Sequence, residues 1–248
     1  MNANIFKSAI TEESKKAVMK DLLRIIVVAA LLLSVQNALA QISYGVKLGG
    51  NLSTMKFKGK TEINDNDIKM RPGFCVGIFI NERPEGSIFS LESGINIETK
   101  GYNYKTEKEV KVSGAKGKAS ATGSVNIVYA TIPVDVRLNL GGFYLMAGPY
   151  CSVGITGKSS SNVETTVTVR KKTTTESESN SRDLDFESDF KRVDAGVNFG
   201  IGETIGKIGI RFNYDLGLLN ILQSKGNKYD ATNEATNRTL SCAITCHF

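Results

Sequence analysis

The feature that most constrains this chain is an alternation of apolar with polar or small residues, which recurs in eight segments. These segments lie at about residues 44–53, 74–80, 89–98, 128–138, 143–155, 193–201, 208–216 and 240–248. Strict alternation places the two kinds of side chain on opposite faces of a β-strand. No segment after Gln41 shows the apolar stripe of an amphipathic helix. The sequence therefore predicts an all-β protein.

The connections between these segments alternate in length. Short connections lie at 81–86, 139–142 and 203–206, and long ones lie at 58–70, 105–123, 158–189 and 220–236. Outer-membrane barrels combine long extracellular loops with tight periplasmic turns. The alternative, a soluble exported β-sandwich or lipocalin-like carrier, has no reason to sort its loops in this way. We therefore expect an eight-stranded antiparallel transmembrane up-and-down β-barrel with both termini on the periplasmic side. Alternation at 163–169 is expected to extend one hairpin above the membrane.

The N-terminal region predicts export. Basic residues precede the apolar run 25–35, and small residues follow it up to Ala40, which is the pattern of a signal peptide cleaved between Ala40 and Gln41. The apolar run is about half of the roughly 20 residues that a membrane-spanning helix needs, so a membrane anchor is the weaker alternative. We assign residues 1–18 to a non-native or untranslated extension before the start at Met19, residues 19–40 to the signal peptide and residues 41–248 to the barrel domain.

Charge and cysteine usage limit the partners of this chain. Its formal net charge is +6, but basic and acidic residues are interleaved in the connections. Together with export, this pattern disfavours nucleic acid, and it makes the lipid and lipopolysaccharide of an outer membrane the more natural partners. Solvated loop charge explains the same pattern equally well. The four cysteines have neither the spacing of a disulfide framework nor that of a metal site. We expect them to be small wall residues, and we expect no cofactor.

Charged residues within the alternating segments are expected to point into the barrel, whose interior at eight strands is just wide enough to be filled by side chains. The predicted interior charges are Lys47, Glu92, Asp135, Arg137, Arg192, Asp194, Arg211 and Asp215. Counting outward from the short turns puts Glu92 near Arg137, and Asn198 near Arg211. The same counting sets Asp194 opposite Asp215, which requires Arg192 or another cation between them. A salt-bridged plug and a path for protons or solutes remain the two interpretations of this set.

Two prolines interrupt the alternation. Pro133 and Pro149 lie inside the fourth and fifth segments, where a closed barrel has no edge strand to accommodate them. Counting from the 139–142 turn brings Pro133 opposite Gly148. We therefore expect a local β-bulge at this level.

Several segments resemble those of the PorT-type outer-membrane β-barrel family of Bacteroidota. The similar segments are "YGVKLGGNLS" at 44–53, "LESGINIETKGYNY" at 91–104, "YATIPVDVRLNLGGFYLMAGPYCSVGI" at 129–155, "VDAGVNFGIG" at 193–202 and "GIRFNYDLGLLNI" at 209–221. The resemblance implies an eight-stranded outer-membrane barrel in which both prolines are family features. It supplies no active-site residues. Because the founding member is associated with protein secretion, it leaves open an envelope or secretion partner.

The chain ends in "LSCAITCHF" at 240–248, and alternation places Ile244 and Phe248 on the lipid-facing side. In outer-membrane barrels, which this chain resembles, the barrel-assembly machinery recognises the last strand and its terminal aromatic residue. We therefore expect Phe248 and Ile244 to form an assembly signal. The last strand is expected to close against the first, because an open strand edge is not tolerated in lipid.

The sequence offers little chemistry for catalysis. Hydrolytic barrels use a histidine beside a serine or carboxylate, and outer-membrane proteases carry that site at the extracellular end. The only histidine here is His247, at the predicted periplasmic rim. We expect a non-enzymatic barrel that acts structurally, through its loops or through a protein partner. The alternatives are a narrow porin-like channel for ions or small solutes, and a lipid- or peptide-modifying enzyme.

Overall fold

The computed structural model describes residues 40–59, 67–112, 115–169, 172–186, 188–223 and 233–248. The chain divides into two compact units, and the larger one consists of Ile42–Arg83 with Ser87–Phe248. Of the smaller unit, Met1–Gln41 with Pro84–Gly86, only residues 40–41 and 84–86 are described. The predicted N-terminal extension and the predicted signal peptide up to residue 39 lie outside the described residues. Ala40 and Gln41 are the first two residues of the first strand.

The described residues form ten strands. They are β1 (Ala40–Lys58), β2 (Ile68–Lys69), β3 (Arg71–Pro84), β4 (Phe89–Val112), β5 (Ala115–Leu140), β6 (Phe143–Val169), β7 (Lys172–Asp183), β8 (Val193–Ile205), β9 (Ile208–Gly217) and β10 (Glu234–His247). Within the described ranges, no helix has the length and hydropathy required to span a bilayer.

The strands form a hydrogen-bonded ring. Its path runs β4-β3-β1-β10-β9-β8-β6-β5 and closes through the β4–β5 pairing, with neighbouring strands antiparallel. The other two strands lie outside this path: β2 pairs with β4, and β7 pairs with the outer part of β6. Both fall within connections that the sequence predicts to be long loops.

Alternation along the ring strands separates an apolar exterior from a polar interior. In β9, Ile208, Ile210 and Phe212 are 54%, 46% and 46% exposed, whereas Arg211 and Asp215 are 2% and 7% exposed. The same pattern recurs in β10, where Leu240 and Ile244 are exposed and Ala243 is buried. A barrel with an apolar outer band and a polar interior matches the amphipathicity of a barrel in lipid.

The two ends of the ring differ. At one end, the turns at 141–142 and 206–207 are tight, and Gly141 and Gly206 supply the positive φ angles that side chains disfavour. At the other end, β4 and β5 continue as far as Val112 and Ala115, so most of the predicted loop 105–123 is strand. Likewise β6 extends through 163–169 and pairs there with β7. The loop prediction was wrong because polar residues on both faces carry no hydrophobic alternation, although they pair equally well through their backbones.

The bulge expected at the prolines lies elsewhere. Pro133 pairs with Tyr150 rather than Gly148, and the register is the same on both sides of the prolines, since Val136 pairs with Ala147. The irregularity between β5 and β6 falls at Val128 and Tyr129. Beside Pro149 the strands are close, because a Cβ on Gly148 would lie 1.9 Å from the Val134 carbonyl oxygen.

Candidate functional site in the barrel interior

The barrel interior contains two groups of charged side chains, which we name by their central residues. The Glu92 cluster consists of Glu92 from β4, Arg137 from β5, Tyr144 from β6 and Arg211 from β9. The Lys100 cluster consists of Glu98 and Lys100 from β4, Asp194 from β8 and Asp215 from β9. All eight residues are buried, and none is more than 7% exposed.

In the Glu92 cluster, one carboxylate accepts hydrogen bonds from two guanidinium groups. Arg211 is bidentate, with Nη1 donating to Oε1 at 2.5 Å and Nη2 donating to Oε2 at 2.9 Å. Arg137 Nη1 donates to Oε2 at 3.3 Å. The Tyr144 hydroxyl accepts a hydrogen bond from Arg211 Nε at 2.9 Å, and its ring lies 3.4 Å below the Arg137 guanidinium carbon. Such charge-assisted forked pairs fix both distance and orientation.

In the Lys100 cluster, one ammonium group forms ion pairs with three carboxylates. Lys100 Nζ lies 3.1 Å from Glu98 Oε1, 3.5 Å from Asp194 Oδ2 and 3.9 Å from Asp215 Oδ2. It also lies 4.3 Å from the ring centroid of Tyr150, which adds a cation–π contact. Lys100, Glu98 and Asp194 are 0%, 5% and 0% exposed. The ammonium is thus the nearest cation to three buried anions.

Neutral donors support the three carboxylates of this cluster. Thr131 Oγ1 donates to Glu98 at 2.6 Å, Asn237 Nδ2 donates to Asp194 at 3.0 Å, and Asn198 Nδ2 donates to Asp215 at 2.7 Å. Such bonds are needed because a buried carboxylate that leaves water without hydrogen bonds is strongly destabilising.

An apolar cluster fills the interior beyond Lys100, toward the long connections. Its buried members are Met55, Phe57, Tyr102, Val125, Ile127, Tyr129, Leu184, Phe190, Ile221, Leu222 and Ala235. Four of them come from the connections before β8 and after β9. These connections are joined by the Phe190–Leu222 bridge and by the Lys191 N–H, which donates to the Ile221 carbonyl at 2.6 Å. The described parts of these connections therefore fold over the interior at this end.

The structure places most of the predicted interior charges inside the ring. Glu92 and Arg137 form the predicted ion pair. Asp135 is 1% exposed and lies directly across from Glu92. Lys47 is half-buried on the inward face of β1. Asp194, Arg211 and Asp215 occupy the two clusters.

The prediction that Arg192 points into the barrel was wrong. It precedes the first residue of β8 and is exposed. Its guanidinium packs 4.8 Å from the Phe186 ring centroid and donates to the Gly154 carbonyl. The cation that lies between Asp194 and Asp215 is instead Lys100. The alternation did indicate this residue, since Lys100 has the same parity as Glu92, but it follows the segment in which interior charges were sought.

The predicted pairing of Asn198 with Arg211 was also wrong, and so was the position of Asp194 opposite Asp215 that the same counting gave. Asn198 pairs with Asp215, and Arg211 pairs with Gly202. The difference arises at the β8–β9 turn, which the sequence places at 203–206 but which the structure forms as two residues, Gly206 and Lys207, between Ile205 and Ile208.

The chemistry that these residues offer is limited. His247 contacts the Phe79 ring at 5.0 Å and Thr245 Oγ1 at 3.3 Å. In the described parts of the chain, no group of three or more histidine, cysteine or acidic residues has an arrangement that could hold a metal ion. Cys75, Cys151, Cys242 and Cys246 are free thiols on the barrel wall.

The first and last strands close the ring. Their register runs from Gly45↔His247 to Lys58↔Glu234, and the Phe248 N–H donates to the Tyr44 carbonyl at 2.8 Å. The side chains of Ile244 and Phe248 are 62% and 70% exposed on the outer face. Both candidate assembly residues are therefore accessible from outside the ring.

Comparison with known proteins gives a family match and several structural likenesses. Residues 35–223 match the model of a family described as an outer membrane protein beta-barrel domain. The sequence has no significant match among curated proteins. Among solved structures, the chain is similar to the attachment invasion locus protein Ail of Yersinia pestis, at 9% identity over 83% of this chain and 98% of that chain, with a TM-score of 0.34. It is also similar to Neisserial surface protein A, at 11% identity over 83% and 99%, with a TM-score of 0.34. The outer membrane protease OmpT from Escherichia coli is similar at 9% identity over 84% and 96%, with a TM-score of 0.30.

Proposed function

The chain belongs to the outer membrane protein beta-barrel domain family, and from that premise we propose that it is a non-catalytic, non-conducting outer-membrane barrel. In this proposal, the eight strands of the ring path cross the membrane, the tight turns and both termini face the periplasm, and the extended hairpins of β4–β7 project from the cell. The protein then acts as a structural element or through these hairpins.

The burial of the interior side chains carries this proposal. A water-filled channel leaves its lining exposed to solvent, whereas Arg211, Lys100, Asp135 and Asp194 are each at most 2% exposed. The Glu92 cluster, the Lys100 cluster and the apolar cluster follow one another along the interior. An eight-stranded barrel has room for such a side-chain filling and little else.

The absence of catalysis is supported by the environment of His247. Among the described residues, its imidazole contacts the Phe79 ring and Thr245 Oγ1 and makes no hydrogen bond to a carboxylate, which a histidine acting as a general base needs for its orientation. The motifs shared with PorT-type barrels support a place in that branch, with an envelope or secretion protein as partner.

Conductance across a planar bilayer tests the proposal. We expect the full-length protein, inserted and shown to be folded by a heat-modifiable gel shift, to give no unitary current steps. The control is the Glu92→Ala/Arg211→Ala variant, in which the bidentate ion pair no longer fills the interior. Current steps from this variant show that inserted protein can be detected. Reproducible steps from the unmodified protein would contradict the filled-barrel model.

We further propose that the barrel-assembly machinery recognises the exposed face of β10 through Phe248 and Ile244. Deletion of Phe248 is expected to lower the yield of membrane-assembled protein several-fold. The matched control deletes 165–176, which leaves the paired residues Glu164 and Ser177 as a hairpin tip. Equal outer-membrane yields of the two variants, measured by gel shift of isolated membranes, would exclude this role for Phe248.

A further inference from the structure

The hairpins that extend from the ring form a four-stranded sheet of β4, β5, β6 and β7 with one uniformly polar face. One cross-strand row on this face consists of Asn103, Ser124, Ser160 and Ser181. The Ser160 and Ser181 hydroxyls lie 3.2 Å apart, within hydrogen-bond distance. Side chains directly opposite one another in a sheet share a face, so these four form a continuous polar strip.

The next row outward is Lys105, Thr122, Asn162 and Ser179. These two rows, together with Lys69 of β2, line a groove of about 610 Å³, which we call the polar groove. The intervening row, Tyr104, Gly123, Ser161 and Asn180, also borders the groove but has the opposite parity, so its side chains belong to the other face of the sheet. The lining combines hydroxyl, amide and ammonium groups from the two outward rows and Lys69, and contains no carboxylate and no aliphatic hydrocarbon side chain.

The polar groove continues the face that contacts lipid lower on the same strands. Asn103 and Lys105 have the parity of Ile95, which is 51% exposed, and Ser124 has the parity of Ile132, which is 52% exposed. The last outward apolar residue of β5 is Val128, four to six residues from the groove. At ~3.3 Å per residue and a strand tilt of about 40°, the groove lies roughly 10–15 Å above the apolar band. The headgroup layer is only about 6 Å thick. The groove therefore lies beyond the headgroups, at the level of the chemical groups that extend outward from the outer-leaflet lipids.

The side chains of the groove are suited to a ligand rich in hydroxyl groups. Asn162 Oδ1 accepts hydrogen bonds from Ser177 at 3.0 Å and Ser179 at 3.3 Å, which fixes the amide. The two N–H donors of that amide have no partner among the described residues. Hydroxyls such as Ser124 and Thr122 each donate one hydrogen bond and accept two. A protein partner would instead need aromatic or arginine anchors, and the two outward rows and Lys69 contain neither.

We propose that the polar groove binds the oligosaccharide portion of the lipopolysaccharide that surrounds the barrel. This inference rests on the proposed outer-membrane placement, and it assigns the outward face of β4–β7 as a saccharide-binding surface. The neighbouring lipids hold their sugars at the height of the groove, so binding there orders the saccharide layer around the protein.

The test uses the full-length protein in phospholipid nanodiscs and, as probe, the lipid-free core oligosaccharide released from lipopolysaccharide by mild acid. Saturable binding to the unmodified protein is expected by calorimetric titration. The variant Thr122→Val/Asn162→Leu removes polar groups at nearly constant volume and is expected to weaken binding roughly tenfold, as two lost hydrogen bonds imply. The control Thr166→Val/Thr175→Val changes a hydrogen-bonded pair on the same face, outside the groove, and is expected to bind like the unmodified protein.

Three results overturn the assignment: no saturable binding by the unmodified protein, equal weakening in both variants, or competition by lipid A without core sugars as strong as that of the oligosaccharide. Dimerisation that is lost only in Thr122→Val/Asn162→Leu would assign the face to a second copy of this chain and would also overturn the saccharide assignment.

The same nanodisc preparation is checked for folding and conductance. A folded, non-conducting protein that binds no sugar therefore refutes the groove alone, whereas conductance refutes the filled-barrel model.

Discussion

The two charged clusters of the interior have inverse compositions. In the Glu92 cluster, one carboxylate is shared by two guanidinium groups, and the closest pair is bidentate at 2.5 and 2.9 Å. In the Lys100 cluster, one ammonium is shared by three carboxylates at 3.1, 3.5 and 3.9 Å. Both clusters are almost fully buried.

The difference reflects the two cations. A guanidinium is a planar fork that pairs with one carboxylate in a fixed orientation, whereas an ammonium is a compact charge that several anions can approach from different directions. The Glu92 cluster is therefore held by geometry, with Tyr144 as a third fixed partner. The Lys100 cluster is held by charge, and its carboxylates depend on neutral donors such as Thr131 and Asn198 for orientation.

The largest effect is expected from Lys100→Met, which keeps the shape of the side chain and removes its charge. Three buried carboxylates lose their nearest cation, and removal of one partner from a buried ion pair typically costs about 3–5 kcal/mol. We expect a loss at the upper end of this range in the free energy of unfolding. Urea titration in detergent measures it by circular dichroism, which suits a chain without tryptophan.

The matched control for Lys100→Met is Lys118→Met in the same β4–β5 hairpin. Lys118 Nζ pairs with Glu107 at 2.9 Å, but both side chains are well exposed. Exposed pairs contribute little to stability because water screens them, so no resolvable change is expected. A loss in this control as large as that of Lys100→Met would show that the hairpin, rather than buried charge, determines the result.

A smaller loss is expected from Glu92→Gln. The amide still accepts a hydrogen bond from Arg211 but no longer neutralises it, and Arg137 retains its stacking on Tyr144. We expect a decrease of about 2–3 kcal/mol in the free energy of unfolding. If Glu92→Gln costs more than Lys100→Met in the same titration, the Glu92 cluster is the stronger of the two and the comparison is reversed.

The alternation of the sequence predicts which face each side chain occupies, and that accounts for the inward positions of Glu92, Asp194 and Arg211. It does not determine which residues meet across strands. A turn formed at Gly206 and Lys207 instead of 203–206 shifts the β8–β9 register by four residues, or about 13 Å. The register of β8 with β9 thus depends on which residue adopts the positive φ of the turn. That residue is Gly206, which marks the position of the turn.

Strand length was the second property that alternation could not determine. Lys100 and the polar groove both lie where the hydrophobic pattern has ended but the β4–β5 ladder continues to Val112↔Ala115. Backbone pairing there is independent of side-chain polarity. Arg192 is the opposite case, because it precedes β8 and therefore does not follow its alternation.

The smallest effect is expected at the exposed counterpart of the two clusters, where Glu107 lies between Lys105 at 2.7 Å and Lys118 at 2.9 Å. Hydrogen bonds from Lys105 and then Lys118 lower the pKa of Glu107 from its ordinary value of 4.5 to about 2. Because the pKa is lower in the folded state, the contribution of this carboxylate to folding stability is complete above pH 4.5 and is lost as the pH falls toward 2.

Carboxyl chemical shifts in detergent micelles at low salt measure the titration of Glu107. Lys118→Gln is expected to raise the pKa of Glu107 toward 4.5, and high salt is expected to do the same through screening. A pKa that neither change moves would show that this exposed site, like the buried Glu92 cluster, is governed by fixed geometry rather than by charge.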